Sequence, residues 1–168
     1  MLDSLEFVLM SSEIFLRGYR TSDLDAMFRL DESCFSEEFR FDRESMREFA
    51  EERNAVVQIA ERVCGELAGF VIAHIMPVAS EMRAYVVTLD VAEQWRRQGL
   101  AARLMQETEA RAVAVGVRWI QLHVFIGNKG AIRFYERMGY ERIRVRRAYY
   151  GASGLDAIVY GKELHPVL

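Results

Sequence analysis

The chain has 168 residues, of which 51% are hydrophobic and 28% are charged, and it contains only two prolines. This length and composition are typical of one globular domain with a core of its own. The formal net charge of −3 excludes a strongly basic protein, so the overall charge does not indicate a nucleic-acid partner.

The first twelve residues are interpreted as an N-terminal extension before a domain that spans residues 13–168. They include Asp3 and Glu6 and lack a basic segment ahead of an apolar one, which argues against a secretory signal peptide. No apolar run approaches the roughly 18–20 residues of a membrane span. The two cysteines, Cys34 and Cys64, form neither a disulfide framework nor a zinc motif. We therefore expect a cytoplasmic protein without a metal.

The N-terminal third predicts one strand and two helices. Glu13–Tyr19 alternates like a strand, and Thr21–Asp23 offers caps for a helix with apolar residues at helical spacing. Residues 34–42 form an irregular loop with three phenylalanines, and an acidic helix follows. Acidic residues crowd the segment from Asp31 to Glu52. We interpret them as a solvated helix face, with attraction of a cationic amine as the alternative.

The middle of the chain is rich in strand signals. Ala55–Val63 and Leu67–Pro77 flank a Cys-Gly-Glu turn and predict a hairpin, and Glu81–Val91 is another long β-rich run. A helix then opens near Trp95 and ends at Gly116, where glycine readily adopts a left-handed conformation. Its apolar face is formed by Leu100, Leu104 and Met105.

The last third predicts a strand, a short helix and two further strands, in the order Trp119–Ile126, Lys129–Met138, Tyr140–Tyr150 and Leu155–Tyr160. The complete order, β-α-α-β-β-β-α-β-α-β-β, combines hairpins with βαβ crossovers. We therefore expect a mixed α/β (α+β) domain, in which a mostly antiparallel sheet of about seven strands is flanked by about four helices.

A basic turn at the start of the third predicted helix is the candidate cofactor site. A helix start exposes unpaired backbone N–H groups and the positive end of the helix dipole, which suit a pyrophosphate. Gly99 lets the backbone approach an anion, while Arg96 and Arg97 add positive charge. A basic helix terminus with a structural glycine is the alternative. The residues of this turn are Arg96, Arg97, Gln98, Gly99, Leu100 and Ala101.

Two motifs resemble the GNAT superfamily of acetyltransferases. The strand at residues 87–91 and the Arg-x-x-Gly-x-Ala pattern at residues 96–101 resemble its acetyl-CoA signature. Residues 128–140, with the pattern Asn-x-x-Ala-x-x-Phe-Tyr-x-x-x-Gly-Tyr, are similar to its second motif. The resemblance covers about Glu13 to Leu164. It implies the GNAT fold, acetyl-CoA as co-substrate and a primary amine as acceptor.

Within the superfamily, the chain resembles N-terminal protein acetyltransferases. Residues 146–151 (Arg-Arg-Ala-Tyr-Tyr-Gly) and 156–159 (Asp-Ala-Ile-Val) resemble the RimI-type ribosomal-protein alanine acetyltransferases. Leu-His-Val at residues 122–124, with Tyr85, resembles the catalytic subunit of the eukaryotic NatE activity, whereas RimI enzymes usually have a glutamate at the position of His123. The resemblance implies a protein or peptide N-terminus as acceptor. We expect a monomer or weak dimer without a nucleic-acid or membrane partner.

The resemblance also implies roles in acetyl transfer. Tyr135 would donate a proton to the leaving sulfur, because a phenol with a pKa near 10 stays protonated at pH 7. Packing of an amphipathic helix is the alternative role for this tyrosine. Asn128 would hydrogen-bond the pantetheine arm. A backbone N–H of the strand formed by Leu89, Asp90 and Val91 would bind the oxyanion.

His123 is the candidate base, because its unperturbed pKa lies near neutrality. Alternation along the strand places it on the face of Gln121 and Phe125, opposite Ile120, Leu122 and Val124. The resemblance implies that Tyr85 positions a water and the amine. An N-terminal amine is roughly a tenth neutral at pH 7, so a modest base suffices. A structural histidine and a buried structural tyrosine are the alternatives.

The loop around Phe35 and the pair Tyr149 and Tyr150 are the predicted walls of the acceptor site, because these two flanks clamp the peptide backbone in N-terminal acetyltransferases. Tyrosines supply hydrogen bonds there at little entropic cost, and capping of a strand end is the alternative role. Two other functions stay open. One is acetylation of lysine or of a small amine such as an antibiotic or polyamine, and the other is a non-catalytic acyl-CoA-binding module.

Overall fold

The computed structural model describes residues 13–166, so the predicted extension at residues 1–12 lies outside the described residues. The described residues form seven strands and four helices, in the order predicted from the sequence. The elements are β1 Ile14–Gly18, α1 Leu24–Cys34, α2 Arg43–Glu51, β2 Ala55–Arg62, β3 Leu67–Val78, β4 Glu81–Val91, α3 Leu100–Ala114, β5 Trp119–Phe125, α4 Lys129–Arg137, β6 Glu141–Arg146 and β7 Ala157–Glu163.

The seven strands belong to one sheet, in the order β1-β2-β3-β4-β5-β7-β6. Neighbouring strands are antiparallel except for β4 and β5, which run parallel. A parallel pair needs a crossover connection, which α3 supplies. The prediction of a mixed, mostly antiparallel sheet flanked by helices is thus confirmed.

Each face of the sheet carries its own core. On one face, called the α1 face, Met27 of α1 and Met46 of α2 pack with Phe70 of β3. On the other, called the α3 face, Leu104 of α3 and Tyr135 of α4 pack in the same core as residues of β5. No helix among the described residues is long and apolar enough to cross a membrane.

Strands β4 and β5 separate after a short contact. They pair only at Arg83, Ala84 and Tyr85 of β4. Beyond this point β4 continues along β3 to Val91, and β5 continues along β7 to Phe125. The facing edges of β4 and β5 therefore have backbone groups without a strand partner, and a gap opens between the two strands.

A bulge in β4 changes the face on which its side chains lie. Ile72 of β3 pairs with Thr88, and the next residue of β3 pairs with Val86, so Val87 is the extra residue. Val86 packs in the core of the α3 face. Without the bulge, Asp90 would lie on that same face, because it is four residues further along the strand. With the bulge, the Asp90 side chain points to the α1 face and interacts with α1.

The start of α1 and the start of α3 differ from the predictions. Asp23 does not cap α1 with its side chain, which instead accepts a hydrogen bond from the Arg20 N–H at 2.7 Å and pairs with Arg17. The helix predicted to open near Trp95 begins at Leu100, because residues 93–95 form a separate 3₁₀ turn. Its predicted end is confirmed, since Gly116 has a φ of 89° directly after the C-cap.

The predicted strand Tyr140–Tyr150 is too long. Strand β6 ends at Arg146, because Ala148 adopts a left-handed conformation with a φ of 51°. The Ala148 N–H donates to the Asp156 carboxylate at 2.8 Å instead of pairing with a strand. Residues 147–156 therefore form a turn that carries Tyr149 and Tyr150 over the α1 face.

Gly69 of β3 lies where a side chain would collide with β4. A Cβ added at Gly69 would lie 2.7 Å from the Asp90 carbonyl oxygen and 3.3 Å from Leu104 Cδ1. Because the nearer atom belongs to the backbone, Gly69→Ala should lower the free energy of unfolding by about 1–3 kcal/mol. Denaturant unfolding should show a much smaller loss for Gly18→Ala, whose added Cβ meets nothing within 4 Å. Equal stability of the two variants would contradict this account of Gly69.

Candidate active site

His123, Tyr85 and Tyr149 come together on the α1 face. The Tyr85 hydroxyl lies 3.0 Å from His123 Nδ1 and 3.3 Å from the Tyr149 hydroxyl. The Tyr149 ring stacks on the imidazole, with ring centroids 4.2 Å apart and an interplanar angle of 5°. Three predicted site residues, from β4, β5 and the turn after β6, therefore form one contact group.

The alternation of β5 determines where His123 points. Ile120, Leu122 and Val124 are buried in the core of the α3 face. The intervening residues, His123 among them, are only half-buried and lie on the opposite face. The face predicted for His123 is therefore confirmed.

The surroundings of His123 keep its imidazole neutral. Burial lowers the pKa of His123, and the positive charges of Arg146 and Arg144 lower it further, to about 4. The Arg146 guanidinium also lies over the Tyr149 ring, 5.2 Å from its centroid. His123 Nε2 is buried and has no hydrogen-bond partner within residues 13–166. At pH 7 the imidazole therefore carries no charge and can accept a proton.

Phe39, rather than Phe35, packs against the predicted tyrosine wall. The Phe39 ring centroid lies 4.8 Å from that of Tyr150 and 4.9 Å from that of Phe125. Phe35 is half-buried directly after α1 and has no ring contact with the described residues. Phe39 was not predicted as a site residue. Residues 34–42 contain three phenylalanines, and their spacing does not indicate which of them packs against the tyrosines.

A cavity of about 440 Å³ opens beside Tyr150. Its rim carries the exposed carboxylates of Glu37 and Glu38, from the same loop as Phe39. Burial raises the pKa of Tyr150 to about 12, so its hydroxyl stays protonated. The cavity is lined by Glu37, Glu38, Tyr150, Gly151, Ala152 and Ser153.

Tyr135 lies on the opposite side of the sheet, in the core of the α3 face. Its ring packs edge-on against Phe134 and Tyr140, at centroid distances of 5.0 and 5.5 Å. Burial and the nearby charge of Asp90 raise the pKa of Tyr135 above its usual value. Its hydroxyl makes no hydrogen bond to the residues that the structure describes. The ring is therefore structural, while the protonated hydroxyl is free to donate.

The predicted cofactor turn contains two residues with a left-handed backbone conformation. Arg97 and Gly99 have φ values of 60° and 79°, and such left-handed residues can turn successive N–H groups toward one side. The first helical hydrogen bond runs from the Arg103 N–H to the Gly99 carbonyl at 3.0 Å. The N–H groups of Leu100 and Ala101 are therefore without a helical partner. Gly99 is suited to its left-handed conformation, and a Cβ there would meet nothing within 4 Å.

The other predicted cofactor residues differ in how free their side chains are. Arg96 is tied to the end of β4, where its Nε donates to the Val91 carbonyl at 2.9 Å. Gln98 donates to the Gln94 carbonyl at 3.1 Å. Arg97 is exposed and has no ion-pair partner in the part of the chain that the structure describes. Of these three side chains, Arg97 is thus the one available to a ligand.

Asn128 and Asp90 each use part of their side chain within the fold. The Asn128 carbonyl oxygen caps α4 by accepting from the Ala131 N–H at 3.1 Å, which leaves its NH₂ group for a ligand. The Asp90 carboxyl is buried on the α1 face, so Asp90 can serve the predicted oxyanion site only through its backbone. Within residues 13–166, no group of three or more His, Cys, Asp or Glu side chains is placed to hold a metal ion.

These groups lie on both sides of the gap between β4 and β5. His123 and Tyr85 lie on the α1 face together with the predicted tyrosine wall of Tyr149 and Tyr150. Tyr135 and the turn before α3 belong to the α3 side. The unpaired edge of β4 lies between them. This arrangement suits a transfer in which two substrates approach from opposite faces, with a proton acceptor on one side and a proton donor on the other.

Comparison with known proteins gives a consistent result. A sequence model described as "Acetyltransferase (GNAT) family" matches residues 24–140. The N-alpha-acetyltransferase of Sulfurisphaera tokodaii is 27% identical over 158 residues, covering 89% of this chain and 92% of that protein. The crystal structure of Arabidopsis thaliana NAA60 in complex with acetyl-CoA superposes with a TM-score of 0.80 at 25% identity, covering 90% and 98% of the two chains. The ribosomal-protein-S18-alanine N-acetyltransferase from Escherichia coli shares the fold with a TM-score of 0.79 at 22% identity, covering 93% and 97%.

Proposed function

The chain belongs to the GNAT family of acetyltransferases, and on this basis we propose that it transfers the acetyl group of acetyl-CoA to the α-amino group of a protein N-terminus. The observation that carries the proposal is the contact group of His123, Tyr85 and Tyr149 beside the gap between β4 and β5. The Sulfurisphaera tokodaii relative, an N-alpha-acetyltransferase, supports the choice of acceptor.

The residues at the gap fit acetyl-CoA, which supplies the acetyl thioester. Unpaired N–H groups at the start of α3 and the free Arg97 side chain would hold its pyrophosphate. The NH₂ group of Asn128 would bind the pantetheine arm. A backbone N–H on the open edge of β4, between Leu89 and Val91, would stabilise negative charge on the acetyl oxygen without any side-chain rearrangement.

His123 and Tyr85 would remove the proton of the acceptor amine. With the imidazole proton on Nε2, Nδ1 accepts from the Tyr85 hydroxyl, which can in turn take a proton from the acceptor amine. A histidine with a pKa of about 4 cannot easily deprotonate an ammonium group with a pKa of about 7.7–8.0. The acceptor therefore enters as the neutral amine and loses its proton only as the new N–C bond forms.

The charge of Arg146 gives this proton transfer a characteristic pH dependence. In the parent, log(kcat/KM) should rise with a slope near one between about pH 5 and 7, because only the amine titrates there. Arg146→Met removes a charge that lowers the pKa of His123, so this pKa rises. Below the pKa of His123 both the imidazole and the amine titrate, so the slope there exceeds one. In the variant this steeper region should extend to higher pH. Initial rates between pH 4 and 8 test this, and identical profiles for parent and variant would contradict it.

An acceptor panel tests the proposed function. Thiol release from acetyl-CoA would be measured with a peptide that has a free N-terminus and no lysine, with the same peptide N-terminally blocked and carrying one lysine, and with a polyamine. We expect turnover of the first peptide alone. Turnover of only the polyamine or the blocked peptide would overturn the assigned acceptor and favour the small-amine or lysine alternative. Tight binding of acetyl-CoA without turnover of any acceptor would favour a non-catalytic binding module.

We assign residues 13–168 to one catalytic domain that acts in the cytoplasm as a monomer or weak dimer, with no nucleic-acid partner. Cys34 and Cys64 are free thiols, which supports a reducing compartment.

A further inference from the structure

Two buried carboxyl groups lie beside the proposed acetyl site, and acetyl transfer as described above uses neither. Asp31 is at the end of α1 and is fully buried. Asp90 is on β4, and its side chain is only 1% exposed. Asp31 was predicted to lie on a solvated acidic face, and its complete burial shows that this prediction was wrong for Asp31. The bulge at Val87 turns the Asp90 side chain toward α1.

Each carboxyl has one oxygen with a partner from its surroundings and one without. Asp31 Oδ2 accepts from the Phe41 N–H at 2.8 Å, and Asp90 Oδ1 accepts from the Thr88 hydroxyl at 2.6 Å. Asp31 Oδ1 and Asp90 Oδ2 are buried without any other partner among the described residues. The two carboxyl groups act electrostatically on each other, and the end of α1 lies against the end of β4, where the Cys34 thiol donates to the Val91 carbonyl at 3.5 Å. A hydrogen bond between the two carboxyl groups requires one proton, because two ionised carboxylates have no hydrogen to donate.

Burial makes two negative charges unfavourable at this pair. Neither carboxyl has an ion-pair partner within residues 13–166, and burial raises the pKa of both groups, that of Asp90 well above its usual range. Two like charges in one buried site favour the binding of a single proton by the pair. The groups that act electrostatically on the pair come from each element around it, namely Glu32 and Cys34 of α1, Arg40 of the loop, Arg96 of the turn before α3, and Tyr135 of α4.

The pair connects two parts of the proposed active site. Asp31 accepts a hydrogen bond from the backbone N–H of Phe41, and Phe39 of the same loop packs against Tyr150. Asp90 lies between Leu89 and Val91, on the open edge of β4. We propose that one proton shared by Asp31 and Asp90 fixes the acceptor loop, residues 35–42, to β4, and that loss of this proton as the pH rises releases the loop. The assignment of the loop to the acceptor rests on the proposed function.

The proposal makes Asp31 and Asp90 positioning residues, which act through the loop and do not touch the reacting atoms. Asp90→Asn replaces the titrating hydrogen bond by an amide N–H that donates to the Asp31 carboxylate at every pH. Its carbonyl oxygen can still accept from Thr88. The connection to the loop then no longer depends on a proton, so the Phe41 N–H of this variant should keep its protection from exchange as the pH rises, whereas that of the parent should lose it. Asp31→Asn is the matched variant on the other side of the pair.

The first test uses amide hydrogen exchange and carboxyl NMR on the full chain without substrates. In ¹³C-aspartate-labelled parent, one carboxyl should titrate well above the usual range of an aspartate. Above the pKa of the pair, the protection factor of the Phe41 N–H should fall in the parent by up to tenfold per pH unit. This fall is measured relative to Asp90→Asn at the same pH. The proposal is overturned if both carboxyls titrate in the usual range of an aspartate, or if the Phe41 protection factor changes equally in parent and variant.

The second test separates loop positioning from general destabilisation. Across the pH range in which carboxyl NMR shows the pair losing its proton, the ratio of the peptide KM of the parent to that of Asp90→Asn should rise by about tenfold or more, while the same ratio for acetyl-CoA stays within about twofold. Parallel changes in both ratios would mean that the pair supports the whole fold and does not position the loop. If the exchange and NMR results hold but no free-N-terminus peptide is acetylated, the proposed function fails while the shared proton stands.

Discussion

Tyr135→Phe should lower kcat by about 100- to 10,000-fold while leaving the fold intact, because the variant lacks only the hydroxyl proposed to protonate the leaving sulfur. The ring keeps its packing against Phe134 and Tyr140. The hydroxyl has no hydrogen-bond partner among residues 13–166, so its removal leaves no buried group of the fold unpaired. Single-turnover rates and thermal unfolding of the same preparation measure both effects.

Tyr140 provides the matched control for this substitution. Its hydroxyl donates to Glu109 at 2.8 Å, and both residues belong to the framework behind the proposed site. Tyr140→Phe should therefore lower the free energy of unfolding by about 1–3 kcal/mol and change kcat little. If Tyr135→Phe retained the kcat of the parent, or lost stability as Tyr140→Phe does, the donor role of Tyr135 would be wrong.

His123→Ala should lower kcat/KM by about 100-fold or more, because it removes the proposed proton acceptor and the support beneath Tyr149. The pH profile should change as well, since the region in which two groups titrate disappears with the imidazole. His165→Ala, at an exposed position after β7, is the control and should keep the parent rate and profile. A His123→Ala variant with a near-parent rate would make His123 a structural histidine, the alternative that the sequence left open.

The fold was predictable because hydrophobic periodicity and turn residues determine most of its elements. The alternation along residues 119–126 predicted the face of His123, and the glycine after α3 predicted the end of that helix. The limits of β6 were not predictable in this way. The two tyrosines after Arg146 favour a strand, but the left-handed Ala148 and its bond to Asp156 depend on tertiary contacts.

Site residues that belong to a family motif could be predicted from the sequence. Site residues whose position depends on tertiary packing could not. Tyr85, His123 and Tyr149 were identified through the resemblance and lie within contact of one another. Phe39 could not be distinguished from Phe35, because both belong to one irregular loop. The contact between Asp31 and Asp90 depends on the bulge at Val87, which moves Asp90 to the other face of the sheet, and nothing in the local sequence marks that bulge.

We propose that the chain acetylates an α-amino group at the gap between β4 and β5. The most direct measurement uses one peptide that contains both a free N-terminus and an internal lysine. After incubation with acetyl-CoA and the protein, tandem mass spectrometry identifies the nitrogen that carries the acetyl group, with Tyr135→Phe as the control for uncatalysed transfer. We predict acetylation of the α-amino group by the parent and only a background level with the variant. Acetylation of the lysine side chain alone, or equal modification with parent and variant, would contradict the claim.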